Sequence, residues 1–218
     1  MSNKKNLVDI IGDKFGKKVE KYDLKSYKTE MNAKKFNIIL DLDNTLINSL
    51  TPTEVKKMAR SKFRKFESVD MDKSYKVFLR PGLQDFLDFL FENFNVSVWT
   101  AASKEYASFI IDEIILNRAK YGDKRKLDVI LFSYHCDFAS KYKKCIKSPV
   151  MLWEIFRMYH PSKTYLIDDL PEIHKKYPQH VIKADYFDVT KSGSENDDFL
   201  YRIKDKLGKL LDIVPYFE

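Results

Sequence analysis

The feature that most constrains the fold is a run of apolar residues that ends in two aspartates, Phe36-Asn-Ile-Ile-Leu-Asp-Leu-Asp43. A short, continuous apolar run is typical of a strand that is buried on both faces of a parallel sheet. Shorter runs of the same kind recur along the chain and alternate with stretches of helical periodicity. Because strands that alternate with helices form a covered parallel sheet, we expect an α/β fold. It would be a single Rossmann-like domain with a mainly parallel sheet and helices on both faces.

The same patterns predict the individual elements. After the first strand, further strands are predicted at 76–79, 96–100, 129–132, 164–167 and near 181–182. Helices are predicted over about 53–66, 83–93, 103–119, 150–159 and 196–212. A polar, Lys-rich loop is predicted before residue 150. The helix over 83–93 is the clearest, because its apolar residues recur on one face.

Length and composition favour one globular domain. The chain has 218 residues, of which 44% are hydrophobic, and this is enough for one core. Residues 1–35 contain ten lysines and five acids, and we expect a basic N-terminal tail or a loosely docked segment there. We expect residues 36–218 to form the domain, with a basic insert at about 50–76.

No apolar run approaches the roughly 20 residues of a membrane-spanning helix, and the first residues lack a signal-peptide stretch. We therefore expect no membrane insertion and an intracellular location, in the nucleus or the cytoplasm. The two cysteines, Cys136 and Cys145, are too few for a zinc cage or a disulfide framework, which favours reduced thiols.

The net charge of +7 raises the question of nucleic-acid binding. Residues 54–66 carry six basic groups and one acid, whereas residues 67–218 carry 23 basic groups and 24 acids. Only seven of the 39 basic residues are arginines, the side chain that binds phosphates and bases with two hydrogen bonds. Nucleic acid therefore stays an alternative partner but is not the favoured one.

Four carboxylates follow two of the predicted buried strands. Asp41 and Asp43 come after the first strand, and Asp168 and Asp169 come after the strand at 164–167. The carboxyl ends of parallel strands meet at one edge of a sheet, where ligands bind. Clustered carboxylates need a neutralising partner, and a set of oxygen ligands suits Mg²⁺ better than zinc. Either residue of the second pair alone could be a helix cap or a turn residue.

Longer strings of residues resemble a known family. Ile39-Leu-Asp-Leu-Asp-Asn-Thr-Leu46 is similar to the first motif of the haloacid dehalogenase (HAD) superfamily of phosphotransferases. Three further segments resemble the small C-terminal-domain phosphatases, also called NLI-interacting-factor-like phosphatases: Val77-Phe-Leu-Arg-Pro-Gly-Leu83, Val98-Trp-Thr-Ala-Ala-Ser-Lys-Glu-Tyr106 and Ile146-Lys-Ser148. The resemblance covers about residues 36–190. It implies a HAD-type domain that uses Mg²⁺ to hydrolyse phosphoric monoesters. The implied substrates are proteins phosphorylated on Ser or Thr.

The resemblance also implies roles for individual residues. Asp41 would be the nucleophile that forms an aspartyl-phosphate, and Asp43 would protonate the leaving oxygen and later activate water. Phosphate would be bound by Asp41, Thr100, Ala101 and Lys147. The metal ligands would be Asp41, Asp43 and Asp169, with Asp168 in a supporting role. A carboxylate nucleophile with a second carboxyl group beside it is chemically suited to this reaction.

Several assignments have alternatives. Lys143 and Lys144 compete with Lys147 for the same role, and the Thr45 hydroxyl could bond the loop backbone instead. Polymerase-tail enzymes of the family carry an Arg in the stretch that corresponds to 134–137 here, and this chain has none there. The basic stretch 54–66 could recruit an acidic substrate or simply be solvated. Other substrates would be a nucleic-acid terminal phosphate or a small phosphate ester, and another class is a catalytically silent binding or scaffold protein.

Overall fold

The structure, a computed structural model, describes residues 34, 36–156 and 158–212. The predicted basic tail over 1–35 therefore lies, apart from Lys34, outside the described residues. The described residues form eight strands: β1 (Asn37–Leu40), β2 (Ile47–Leu50), β3 (Ser68–Met71), β4 (Tyr75–Leu79), β5 (Asn95–Trp99), β6 (Ile130–Leu131), β7 (Thr164–Asp168) and β8 (Val181–Lys183). The α-helices in this part of the chain are α1 (Pro52–Lys57), α2 (Arg60–Phe63), α3 (Leu83–Asn93), α4 (Lys104–Ile110), α5 (Arg118–Tyr121), α6 (Ser133–Lys143), α7 (Pro149–Ile155), α8 (Pro171–Lys176) and α9 (Phe199–Asp212).

The central sheet has five strands in the order β6-β5-β1-β7-β8, and every neighbouring pair is parallel. β1 lies in the middle, where Ile38 pairs in register with Val96 of β5 and with Tyr165 of β7. All four residues of β1 are buried, as a strand covered on both faces requires. This confirms the prediction of a mainly parallel sheet.

Side chains of the sheet alternate between two apolar layers. Ile38 and Leu40 point into a core that includes the buried faces of α3, α4 and α9. Ile39 points into the opposite core, together with buried residues of α6, α7 and α8. Helices thus cover both faces of the sheet, and the burial of each large aliphatic side chain contributes about 1.5–3 kcal/mol.

The predicted strand at 76–79 exists, but it lies outside the parallel sheet. As β4 it forms the middle of a second, antiparallel sheet in the order β2-β4-β3. Its outer strand β3 lies within the predicted basic insert at about 50–76, and β2 and β4 border that insert. Phe66 and Phe78 pack edge to face in an apolar cluster beside this sheet. The alternation of strands and helices could not show this pairing, because β2 and β3 are short and partly polar.

Several predicted elements differ from the structure. The helix predicted over 150–159 ends at Ile155, because Phe156 has an extended backbone. The helix over 53–66 is two short helices, since Met58 and Ala59 have extended backbones between them. The helix over 103–119 contains a π-helical segment, Ile111–Leu116, between α4 and α5. The prediction of a Lys-rich loop is wrong, because residues 133–143 form α6. The buried face of this helix is narrow, so its apolar residues show only weak helical periodicity.

Candidate active site

The aspartates of the first motif reach the carboxyl edge of the central sheet. Asp41 directly follows β1, and its backbone N–H donates to the carbonyl of Ile167 in β7 at 3.0 Å. Asp168 ends β7, and Asp169 is the next residue. Because β1 and β7 are parallel neighbours, the two acidic pairs emerge side by side.

Three of these carboxylates meet in one group. Asp41, Asp168 and Asp169 each offer an oxygen, and these atoms all lie within 4.8 Å of one another. Asp41 and Asp168 are buried, whereas Asp169 is half-buried and so lies nearer to solvent. An all-oxygen set with one accessible side fits Mg²⁺, which usually keeps several waters when bound to proteins. The Asp43 side chain is not in this group, and its role as a metal ligand stays a prediction.

Lys147 is the cation of this site. Its side chain is 1% exposed, and its Nζ donates to Asp41 Oδ1 at 2.6 Å and to Asp168 Oδ2 at 2.7 Å. The rival lysines lie elsewhere, since Lys143 pairs with Glu154 and Lys144 is exposed. A buried ammonium is costly unless it is paired, and two carboxylates provide that pairing here.

Burial and charge shift the pKa values of the site in identifiable directions. Burial lowers the pKa of Lys147, but the attraction of Asp41 and Asp168 outweighs it and leaves the pKa above its ordinary value. Burial and the nearby Asp41 charge raise the pKa of Asp168, which Lys147 partly opposes. Burial, again with Asp41, also raises the pKa of Asp169. Lys147 alone therefore does not fully offset the cost of burying these carboxylates together, and a further cation would stabilise their charged forms.

Two threonines lie at the edge of the sheet where Asp41 emerges. The Thr45 hydroxyl donates to Asp41 Oδ2 at 3.0 Å, so it bonds the carboxylate. Thr100 follows β5 and is buried, with its backbone N–H donating to the carbonyl of Leu131 at 2.9 Å. The Thr100 hydroxyl accepts from the backbone N–H of Ala102 at 3.0 Å, and Ala101 lies exposed between them. This turn presents a hydroxyl and backbone groups at the same sheet edge.

Asp43 has surroundings of its own, separate from the three-carboxylate group. Its Oδ1 accepts a hydrogen bond from the hydroxyl of Tyr106 in α4 at 2.6 Å. Burial raises the pKa of Asp43 to about 6, while the Tyr106 hydrogen bond lowers it and the Asp41 charge raises it further. A carboxyl group in such a setting can hold and release a proton near neutral pH.

Sequence reasoning missed a buried arginine that anchors the first motif. The Arg80 side chain donates from Nη1 to the carbonyl of Thr45 at 2.9 Å. Its other nitrogens bind both carboxylate oxygens of Asp197, each at 2.7 Å. Asn44 has φ 59°, and its amide donates to the carbonyl of Phe187 at 3.0 Å. The Arg-Pro-Gly string was visible in the sequence, but its partner 117 residues away was not.

The remaining candidates have simpler roles. Cys136 is buried, its thiol donates to the carbonyl of Thr100, and burial raises its pKa to about 11. Such a thiol is a poor nucleophile. In the basic insert, Lys65 pairs with Glu195 at 2.7 Å, while Lys56 and Lys57 are exposed at the end of α1. Across the described residues, none of the helices combines the length and apolar character that a membrane span needs.

Comparisons with known proteins show which family the chain resembles. The sequence profile of the family described as NLI interacting factor-like phosphatase matches residues 36–215. A protein of invertebrate iridescent virus 6, CTD phosphatase-like protein 355R, is 40% identical over 183 residues, which are 81% of this chain and 99% of the viral protein. Its namesake in invertebrate iridescent virus 3 is 39% identical and is covered to 97%.

Among solved structures, the fission yeast RNA polymerase II CTD phosphatase Fcp1 bound to beryllium fluoride aligns with a TM-score of 0.47 and 20% identity. The alignment covers 90% of this chain and 54% of the yeast chain. The family profile spans most of the chain, and the two viral proteins match over nearly their whole length. The chain therefore belongs to the NLI interacting factor-like phosphatase family and is a phosphatase that hydrolyses phosphate monoesters.

Proposed function

We propose that this phosphatase depends on Mg²⁺ and acts on phosphorylated Ser or Thr side chains of proteins through an aspartyl-phosphate on Asp41. The observation that carries the proposal is the double anchoring of the Asp41 carboxylate. One oxygen accepts from buried Lys147 and the other from Thr45. A carboxylate held in this way is oriented for attack, which is the main requirement of nucleophilic catalysis.

The three-carboxylate group supports a metal. Asp41, Asp168 and Asp169 would hold it, because hard oxygen ligands are what Mg²⁺ prefers. When bound, Mg²⁺ would neutralise charge on the phosphate and on these carboxylates. The predicted role of Asp43 as a further ligand stays a prediction. Because Oδ1 of its side chain bonds Tyr106, the role that we propose for this side chain is proton transfer.

The residues of the chain can carry both halves of the reaction. In the first, an Asp41 oxygen bonds to phosphorus while the bond from phosphorus to the leaving oxygen breaks and its electron pair stays on that oxygen. Asp43 gives its proton to the leaving oxygen. In the second, Asp43 takes a proton from water, whose oxygen attacks phosphorus and releases Asp41 and inorganic phosphate. Lys147 and the turn at Thr100 and Ala101 would stabilise the phosphoryl oxygens.

A protein substrate is supported by the basic insert and by the names of the relatives. Lys56, Lys57, Arg60 and Arg64 are exposed on and beside α1 and α2. Such a surface attracts an acidic or phosphorylated segment, with a strength that falls as salt rises. The two viral relatives are described as CTD phosphatase-like. The predicted nuclear or cytoplasmic location stays a prediction.

Activity assays test the chemistry directly. We expect hydrolysis of p-nitrophenyl phosphate to stop with EDTA and to return with Mg²⁺. Asp41→Asn should abolish turnover, and Lys147→Met should lower it at least about 100-fold, since removing one preorganised donor from such a site costs about 10²–10³ in rate. Lys143→Met is the matched control, because that lysine pairs with Glu154, and it should retain activity.

Substrate class needs a separate comparison. Phosphopeptides, a 3′-phosphorylated oligonucleotide and a small alkyl phosphate would be compared by kcat/KM at the same salt concentration. A clear preference for phosphopeptides supports the proposal, and equal or better turnover of the oligonucleotide would refute it. Wild-type turnover by Asp41→Asn would refute the aspartyl-phosphate route.

A further inference from the structure

A chain of hydrogen bonds leads from the insert sheet to the proton-transfer residue. The Tyr106 hydroxyl donates to Asp43 Oδ1 at 2.6 Å, and Ser49 Oγ lies 2.5 Å from the same hydroxyl. A phenol has one proton, and here that proton is used toward Asp43. Ser49 is therefore the donor of the other bond, so the chain runs from Ser49 through Tyr106 to Asp43.

The tyrosine is held from several sides. Its backbone N–H donates to the side chain of Ser103, which caps the start of α4. Its ring packs edge to face on the ring of Tyr75, with centroids 5.7 Å apart. Tyr106 is half-buried and packs against the larger apolar core. The position of its hydroxyl is thus set by packing as well as by hydrogen bonds.

Three parts of the fold meet at this hydroxyl. Asp43 comes from the loop after β1, Tyr106 from α4, and Ser49 from β2 of the insert sheet. Tyr75, which packs on the ring, begins β4 of the same insert sheet. The insert sheet therefore contacts the reaction centre through Tyr106, whose hydroxyl bonds Asp43.

We propose that Tyr106 is a positioning residue for proton transfer: its hydroxyl holds Oδ1 of Asp43, so that Oδ2 faces the leaving oxygen, and Ser49 fixes that hydroxyl. The inference rests on the proposed function, in which Asp43 gives its proton to the leaving oxygen. A misplaced acid matters most when the leaving oxygen is strongly basic and cannot depart without a proton. The role of Tyr106 therefore predicts a dependence on the leaving group.

A tyrosine that only fills space would behave differently. Loss of packing or of substrate contact would change turnover of similarly shaped substrates by similar factors. p-Nitrophenyl phosphate and phenyl phosphate have nearly the same shape, but phenolate is a much poorer leaving group than nitrophenolate. The ratio of their kcat/KM values separates a positioning role from a structural one. This parameter reports the steps up to the first irreversible one and so excludes the later attack of water.

The experiment measures kcat/KM for both esters in the wild type, Tyr106→Phe, Ser49→Ala and Tyr75→Phe. We expect Tyr106→Phe to lower the value about 10–100-fold for phenyl phosphate, a part of what general acid catalysis supplies, and less than about 3-fold for p-nitrophenyl phosphate. Ser49→Ala should shift the ratio in the same direction by a smaller factor. Tyr75→Phe keeps the ring and should leave the ratio unchanged.

Asp43→Asn distinguishes the two levels of the proposal. The inference holds if Asp43→Asn and Tyr106→Phe each lower kcat/KM for phenyl phosphate much more than for p-nitrophenyl phosphate. The double variant must also show no greater loss than Asp43→Asn alone. If Asp43→Asn lowers kcat/KM selectively for phenyl phosphate but Tyr106→Phe lowers kcat/KM equally for both esters, the positioning role is overturned and the proposed function stands. If Asp43→Asn itself shows no selectivity, the proposed proton transfer fails, and the role of Tyr106 fails with it.

Discussion

Replacing Asp197 with asparagine tests how strongly one buried ion pair stabilises the loop of the first motif. The Arg80 side chain is fully buried, while that of Asp197 is 19% exposed. The guanidinium lies over the rings of Phe187 and Phe199, at 5.3 and 4.4 Å from their centroids. With so little water around it, Arg80 depends on Asp197 for its compensating charge.

The size of the effect follows from what asparagine keeps. It has nearly the same volume and one acceptor oxygen, but its NH₂ group would face a guanidinium nitrogen. Removing one partner of a buried ion pair costs about 3–5 kcal/mol, and the partial exposure of Asp197 favours the lower value. In a chain of this size about 3 kcal/mol corresponds to a decrease of about 6–12 °C in Tm.

Urea unfolding and thermal unfolding, followed by circular dichroism, would measure the change. The matched control is Asp198→Asn, because Asp198 pairs with Arg202 at 2.8 Å and both side chains are exposed. Exposed pairs contribute about 0–1 kcal/mol. If Asp197→Asn costs no more free energy of unfolding than Asp198→Asn, the buried pair does not stabilise this loop as we argue.

Three further predictions concern a glycine, a histidine and a threonine. Gly82→Ala should lower the free energy of unfolding by about 1–2 kcal/mol, measured in urea, because Gly82 has φ 77°, a conformation that costs other residues about this much. Burial lowers the pKa of His135 to about 4 from 6.5, so its neutral form stabilises the fold above pH 6.5 and this contribution is lost as pH falls toward 4. His135→Gln should therefore make the free energy of unfolding less dependent on pH between about 4 and 6.5. Thr45→Val should lower kcat about 10-fold by releasing Asp41 Oδ2, whereas Thr45→Ser keeps the hydroxyl and most of the activity.

Each of these predictions has a contrary result. A Cβ at position 82 would also lie 2.7 Å from the Tyr201 ring, but that side chain is exposed and can move aside, so we assign the cost to the backbone. The Gly82 prediction is wrong if adding Tyr201→Ala restores stability to Gly82→Ala. The His135 prediction is wrong if His135→Gln unfolds with the same pH profile as the wild type. The Thr45 prediction is wrong if Thr45→Val and Thr45→Ser have equal kcat.

The central sheet was predictable because its signals are local. Its strands coincide with short apolar runs in the sequence, and stretches of helical periodicity separate these runs. The pattern of residues along the chain therefore predicts which segments are buried. The insert sheet was not predictable in this way. Ile47–Leu50 and Ser68–Met71 have partly exposed patterns, and only their pairing with β4 makes them strands. Helix α6 was missed because its buried side is narrow.

The candidate site divides along the same line. Asp41, Asp43, Asp168 and Asp169 could be recognised from sequence, since they follow apolar strands that share one edge. Ala101 and Thr100 were named by resemblance, and their phosphate-binding role stays a prediction. Tyr106 and Arg80 were inside recognised strings, yet their functions depend on partners in other elements.

The sequence by itself determined the layered α/β fold and the edge at which its carboxylates meet, because strand burial and the alternation of strands with helices are encoded in nearby residues. The resemblance had named Lys147, with Lys143 and Lys144 as rivals, and the tertiary structure decided among the three. Lys147 lies 106 residues from Asp41 in the chain, and it is distinguished by burial between two carboxylates. The tertiary structure also separated the carboxylates, placing Asp43 against Tyr106 and the other three in one group. The physical reason is that charge pairing and desolvation depend on distances in space, which residue type and spacing do not specify.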